Sequence, residues 1–556
     1  MSNSPRVKFN LVNNNVEKTT PTQGISVVLA RTTKGPQNDP SELINSVPKF
    51  NKIFGSEIVP DGSVSNIEKA LAGGSTLRII RVQDSKATKG TCGTKEKNLL
   101  SFAVGSIKVG FNLNTKYKGD TIGSGSSYTF QAAQSGDNIL YKVVDADGTT
   151  VLDSGLLLTF KKAKSDQNPL IVDYQALNNF FQSNPYFEPE VVTHTGVTFT
   201  SVEGMLDWLE SLDGSANALT VQFGANALTE AYQSITGTVG TAGSDPTLED
   251  WKSALEYVKD VQDAYQVIAS HVHQHLSSSD TTTFHNAVKL MADELQEWVY
   301  YIEVPKENNT AAKIQTWMKT TMAAVGNSKF VAYFGGGIKY YNARGTLKDC
   351  DVLGTIIGLG DASAVNYGPY RSFAGMNRGL IPDGVGPVCP NYGAPSHYDE
   401  LNELANSYVN MIVVKDTRSA GKTTMLWHSF TSQVKQDSFR FLNIVRLVLY
   451  MKKTIRPIME SYIEEPNIWG TWKRIYLEVK PFLDNLVTDN AITDPQWIGD
   501  QDATSWDELQ LNNEADCRQG KYHVQCVFKD VATMQDITID LIIDSASKSV
   551  SATIND

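Results

Sequence analysis

The chain has 556 residues and a formal charge of −12, from 49 basic and 61 acidic side chains. That length suggests about three or four domains. Hydrophobic residues at 41% against 20% charged ones make an ordinary globular balance and exclude wholesale disorder. The acidic excess argues against nucleic acid as a generic partner, because phosphate binding needs a basic footprint.

No run approaches the roughly 18 apolar residues of a bilayer span, so no membrane insertion is expected. The opening Met1 to Phe9 lacks the apolar core of a secretory signal,. Cys92, Cys350, Cys389, Cys517 and Cys526 read as reduced, packed thiols of a protein made in the cytoplasm.

In chain order, residues 1–23 read as an extended arm. Val7, Phe9 and Leu11 alternate with polar neighbours, and Asn13 to Asn15 then loosen the chain,. Residues 24–84 begin an α/β core: strand Ile25 to Ala30, a helix around Ser65 to Ala72, strand Leu77 to Val82,. Residues 85–200 are rich in Gly, Ser, Thr and Asn, with short alternating runs and a hairpin turn at Asp145 to Gly148,. They read as an inserted all-β domain.

Strand and helix alternate again over 201–432, which implies a largely parallel, covered sheet. Gly354 to Pro395 is Gly- and Pro-rich and is expected to loop over the surface,. Residues 433–535 form a C-terminal domain. Its main helix, Phe439 to Met459, has an apolar stripe at Phe441, Ile444, Val445 and Val448, and a second helix runs from Trp469 to Leu486,. Residues 536–556 are a second arm, ending in Val550, Ala552 and Ile554 alternating with Ser549, Ser551 and Thr553. The fold class expected is mixed α/β and multidomain, with a β insertion and strand-forming terminal arms.

Chemical motifs are few. Gly421-Lys422-Thr423 resembles a phosphate loop, but Asp416 occupies the position where that loop needs glycine,. A basic hairpin is the better reading. His271, His273 and His275 at spacing two on a strand would share one face and could approach a metal. Without a nearby cysteine or carboxylate in sequence, a solvated strand end is expected instead. Gly335 to Gly337 is a weak anion-nest signal. No catalytic residue, cofactor site or metal site is expected.

Two sets of motifs together resemble the contractile tail sheath proteins. The first is Gly24-Ile-Ser-Val-Val-Leu, Lys34-Gly35-Pro36, Ile53-Phe54-Gly55, Ala70 to Gly74 and Leu77 to Val82. The second is Phe439 to Leu447, Glu465-Pro466-Asn467 with Trp469, and Phe482-Leu483 with Leu486 and Ala491. The family's Pro-Pro-Ser-Gly stretch is not evident here.

The resemblance implies a non-enzymatic subunit that stacks as hexameric rings around an inner tail tube. Such a sheath shortens to drive the tube through a host envelope and deliver a genome. It implies baseplate and tail terminator proteins as further partners, and a virion tail assembled in the host bacterial cytoplasm. Arms bearing Val7, Phe9, Leu11, Val550, Ala552 and Ile554 would add strands to neighbouring subunits. The alternatives are a headless bacteriocin or injection-system sheath, a nucleotide-binding protein and a β-rich surface adhesin.

Overall fold

The computed structural model describes residues 24–59, 64–93, 99–104, 106–162, 170–173, 175–195, 197–199, 201–211, 219–223, 229–235, 237–341, 345–417, 421–531 and 533. Both terminal arms lie outside them. The chain forms two compact units that divide at Glu465–Pro466.

The larger unit opens on strand β1 (Ile25–Ala30), every residue of which is buried. Strand β2 (Leu43–Ile44) and helices α1 (Val47–Phe54) and α2 (Asn66–Ala72) lead to β3 (Thr76–Arg81). Ser65 caps α2, its Oγ accepting from the Glu68 N–H. That bond meets a donor which the first helical turn leaves without an internal partner.

After β3 the chain enters the β-rich part. Its strands are β4 (Thr91–Cys92), β5 (Leu100–Val104), β6 (Ile107–Thr115), β7 (Tyr128–Ser135), β8 (Asn138–Asp145) and β9 (Val151–Lys162). They continue as β10 (Leu170–Asp173), β11 (Phe187–Thr195), β12 (Leu219–Phe223), β13 (Gln233–Ser234) and β14 (Gly237–Thr238). Two sheets result, ordered β10-β9-β8-β7-β13 and β12-β5-β6-β4-β14, with β11 also on β6.

This part is not all β. Helices α3 (Gln175–Ser183) and α4 (Val202–Ser211) supply Leu177, Phe180, Met205 and Leu209 to the same apolar core as Phe102, Phe111 and Phe130. Nor does its pairing stop at residue 200, since β12, β13 and β14 pair with β5, β7 and β4. The chain leaves where it entered: Thr88 and Thr241 exchange backbone hydrogen bonds of 3.0 and 3.4 Å. Close by, the Ser244 N–H donates to Asp84 Oδ2 at 2.7 Å.

The α/β part resumes with α5 (Leu248–Glu256), β15 (Gln266–Ala269), α6 (Val272–His275), α7 (Ser278–Leu295), β16 (Val299–Glu303), α8 (Ala311–Val325) and β17 (Val331–Gly335). A small hairpin, β18 (Ile338–Tyr341) and β19 (Leu347–Cys350), precedes α9 (Leu353–Tyr367), α10 (Gly375–Arg378) and α11 (Tyr398–Asn406). Strands β20 (Val409–Thr417) and β21 (Gly421–Leu426) and helix α12 (Leu442–Glu460) complete the unit.

The central sheet has the order β2-β3-β1-β15-β16-β17-β20-β21. Its six inner strands run parallel and the two edge strands antiparallel. Such a sheet must be covered on both faces, which is why β1, β15, β16 and β17 read as continuous buried runs,.

Two expectations fail here for physical reasons. Residues 354–367, expected to loop over the surface, lie in helix α9, which is largely buried up to Ala364. Its glycines permit a very close approach to α2: a Cβ on Gly354 would lie 2.1 Å from the Asn66 carbonyl oxygen, and one on Gly73 would lie 2.6 Å from the Gly358 Cα. Helix α12 does not show a single stripe. Leu442 to Leu447 and Leu449 to Met451 are all buried, as befits a half-helix packed on all sides.

The inserted part is joined to the sheet by buried charge. Arg81 and Asp120 pair at 2.6 Å with both side chains 0% exposed. Asp120 also accepts from the Gly35 N–H and the Tyr128 hydroxyl. Burial nonetheless pushes its carboxyl above the ordinary value, against the pull of Arg81. A second pair, Lys34–Asp145 at 2.6 Å, leaves the lysine 1% exposed.

The smaller unit contains α13 (Trp469–Thr488), β22 (Ile492–Ile498), α14 (Glu514–Arg518) and β23 (Gln525–Asp530). Asn467 organises it. Its Nδ2 donates to the Cys517 and Lys521 carbonyls at 3.0 and 2.9 Å, while its Oδ1 accepts from Trp472 Nε1 at 2.8 Å. Trp472 stacks on Tyr522 with centroids 5.0 Å apart. Among the described residues, β22 and β23 form a sheet of two strands.

Two substitutions test these arguments. Gly354→Ala should lower stability by about 2 kcal/mol or more, because helix backbone rather than a flexible side chain must move. Asp120→Ala should cost about 3–5 kcal/mol, because it strands the Arg81 charge in a dry interior. Thermal unfolding of the two variants beside the parent chain measures both.

Candidate functional site

The six residues expected to carry strand addition, Val7, Phe9, Leu11, Val550, Ala552 and Ile554, lie outside the described residues. The Gly421-Lys422-Thr423 motif is the start of edge strand β21, with Lys422 opposite Asp416 in the hairpin. A phosphate loop feeds a helix N-terminus. Here the chain behind the motif is strand through Leu426.

The glycine run after β17 is likewise spoken for. The Gly336 carbonyl accepts from the Val388 and Cys389 N–H groups, and a Cβ on Gly337 would lie 2.7 Å from Val388. It is a packed turn. All five cysteines are free; Cys526 is half-buried and the other four are buried.

The histidine segment departs most from expectation. It is neither a strand nor solvated. His271 takes a left-handed conformation with φ of 51° and begins the short helix α6. The turn follows directly from β15, so its side chains cluster at the carboxyl ends of the parallel strands. His271 is 0% exposed, and the His273 and His275 side chains are 14% and 1% exposed.

Carboxylates come to this turn from three remote places. Glu57 follows α1, Glu303 ends β16, and Asp351 lies between β19 and α9. His271 Nδ1–H donates to Asp351 Oδ2 at 2.6 Å, and Gln274 Nε2 donates to the same oxygen at 3.2 Å. His273 Nε2 lies 3.8 Å from that oxygen, and His271 Nε2 lies 4.0 Å from Glu57 Oε1. Glu57 Oε2 accepts from Ser65 Oγ at 2.5 Å and from the Ile67 N–H at 3.3 Å. Glu303 Oε1 accepts from the Val352 N–H at 2.6 Å.

The two carboxyls of the Glu303–Asp351 pair divide their protonation states. Burial, then the Asp351 charge, drives Glu303 well above the ordinary carboxylate range. Burial also pushes Asp351 up, but the His271 hydrogen bond and the His273 charge overcome it and hold Asp351 below its usual value. Glu303 therefore keeps a proton where Asp351 is ionised. His273 is lowered by burial, against the opposing charge of Asp351.

A cavity of about 740 Å³ opens beside the cluster, lined by His273, Gln274, His285, Glu303 and Trp317 among others. Nothing in the order of residues announces this site. The nearest available signal was the His-x-His-x-His run itself. Its acidic partners are far away in sequence, and only the parallel sheet brings them together.

No protein-family model matches this sequence, and no curated protein sequence matches it. The fold does have counterparts among solved structures. Over 91% of this chain and 95% of the other, it is similar to a sheath tail protein of Listeria innocua, with a TM-score of 0.52 and 11% identity. A sheath tail protein of Desulfitobacterium hafniense matches over 95% and 100% of the two chains, at a TM-score of 0.48 and 12% identity. The contracted helical sheath of the anti-feeding prophage matches over 55% and 78%, at 0.41 and 15%. The architecture of this chain is thus the fold of a tail sheath protein, as the sequence motifs led one to expect.

His285 offers a pH test of the packing around the cavity. It is buried, its Nδ1 lies 2.7 Å from the Tyr300 hydroxyl, and burial lowers its pKa to about 3. A histidine depressed in the folded state contributes stability that is whole above its unfolded value of about 6.5 and is lost as pH falls below it. Between pH 7 and 4.5, His285→Gln should remove about 2 kcal/mol of the acid-induced loss. Urea unfolding across that range measures the flattening.

Proposed function

We propose that this chain is the subunit of a contractile tail sheath. Subunits stack as hexameric rings around an inner tail tube and shorten to drive it through the host envelope, delivering a genome. The reading rests on the central α/β sheet with its β-rich insertion, similar over 91% of the chain to a sheath tail protein. The motifs at both ends of the sequence support it independently.

The two-stranded β22–β23 sheet would be a physical destination for the terminal arms. A pair of strands is marginal alone and offers main-chain groups at its outer edges. Arms bearing Val7, Phe9 and Leu11, and Val550, Ala552 and Ile554, would extend such a sheet in a neighbouring subunit. Backbone pairing of this kind gives affinity without fixing the orientation of the bodies it connects. Repeated head to tail, it builds a helix instead of a closed dimer.

In this scheme the inserted β-rich part, expected over residues 85–200 and paired as far as Thr238, forms an outward-facing domain, and baseplate and tail terminator proteins bind the ends of the stack. The subunit works in a virion tail, assembled in the bacterial cytoplasm, by repacking and not by catalysis. The sheath of a headless bacteriocin or injection system is the second reading, since the anti-feeding prophage sheath is among the counterparts.

Negative-stain microscopy of the purified protein tests the proposal. Long striated tubes are expected. Deleting residues 1–12 should leave a folded, soluble body that forms none, and normal tubes from that variant would refute the role of the arm.

A further inference from the structure

We propose that His273, Glu303 and Asp351 form a binding site for one divalent first-row cation at the carboxyl edge of the parallel sheet. One ring nitrogen of His273 and one carboxylate oxygen from each of Glu303 and Asp351 lie within 4.8 Å of one another. Three such atoms can share a cation at bonding distances of about 2.0–2.2 Å after small side-chain rotations.

The second observation is what these atoms lack. Glu303 is 5% and Asp351 3% exposed, yet Glu303 Oε2, Asp351 Oδ1 and His273 Nε2 have no hydrogen-bond partner. Buried polar atoms without partners are costly, and one on each of three clustered side chains calls for a shared ligand,. The other oxygen of each carboxylate is already engaged, Glu303 by the Val352 N–H and Asp351 by His271 and Gln274. Those bonds fix the orientation of prospective ligands, as outer groups do around bound metals.

Charge agrees with the geometry. Glu57, Glu303 and Asp351 gather at one turn, and Lys306 is the lysine whose charge reaches both members of the pair. A divalent ion would let Glu303 release its proton. One imidazole with two carboxylates suits Zn²⁺ or Mn²⁺, and the adjoining cavity has room for water in the remaining positions. The ion would tie α6, the end of β16 and the start of α9 together.

The test uses the full, untagged chain, equilibrated with Zn²⁺ or Mn²⁺ and freed of excess by gel filtration. Elemental analysis should find one ion per chain. Glu303→Gln keeps the acceptor for Val352, and His273→Gln changes a side chain that already meets solvent. Each should weaken binding about tenfold or more with an unchanged circular dichroism spectrum. On the unmutated chain, the ion should protect His273 from diethyl pyrocarbonate, mapped by mass spectrometry, which locates the ion without any substitution. Absence of a retained ion would mean that the carboxyl pair holds a proton in its place. An ion that both variants keep, or that leaves His273 reactive, would place it elsewhere. Either result overturns the proposal.

Discussion

Both faces of β1 are dry, and that requirement places most of what surrounds it in the larger unit. Its neighbours in the sheet, β3 and β15, come from segments separated by the whole β-rich insertion. Its polar residue, Ser26, is buried too and donates to Asp361 Oδ2 of α9 at 2.7 Å, while Gln266 of β15 donates to the other oxygen at 2.5 Å. Helix α9 can lie there only because Gly354 and Gly358 let it sit almost on the backbone of α2. Burial raises the Asp361 carboxyl to about 6. The chain tolerates that cost to register β1, β15 and α9 against one another.

The same requirement explains what was legible in the sequence. Strands buried on both faces are largely apolar runs, and β1, β15, β16 and β17 stood out as such. Helix α9 did not, because its glycines carry low helix propensity and only the facing helix gives them a purpose. The end of the β-rich part was misplaced for a related reason. Helix α4 looked like a return to α/β alternation, but its Met205 and Leu209 pack into the insertion's core.

The histidine turn shows a different limit. Spacing two suggested a strand, whereas a single left-handed residue, His271, converts that spacing into a helical turn. The carboxylates that meet it arrive from α1, β16 and the β19–α9 connection. No local pattern encodes such a meeting; it is a product of topology at the carboxyl edge of a parallel sheet, where such folds habitually gather polar groups. Glu465-Pro466-Asn467, by contrast, was legible as a motif before its reason was. The reason is that Asn467 satisfies two carbonyls and an indole at once.

The manner in which the insertion is fastened has a consequence for the conditions the protein can meet. Ions in solution screen exposed charges over a Debye length of about 8–10 Å at ordinary ionic strength, but they cannot enter a packed interior. Arg81 and Asp120 are wholly enclosed, and Lys34 nearly so. A joint made this way holds as firmly in brine as in fresh water, so a change in the surrounding salinity would leave the insertion docked on its sheet,.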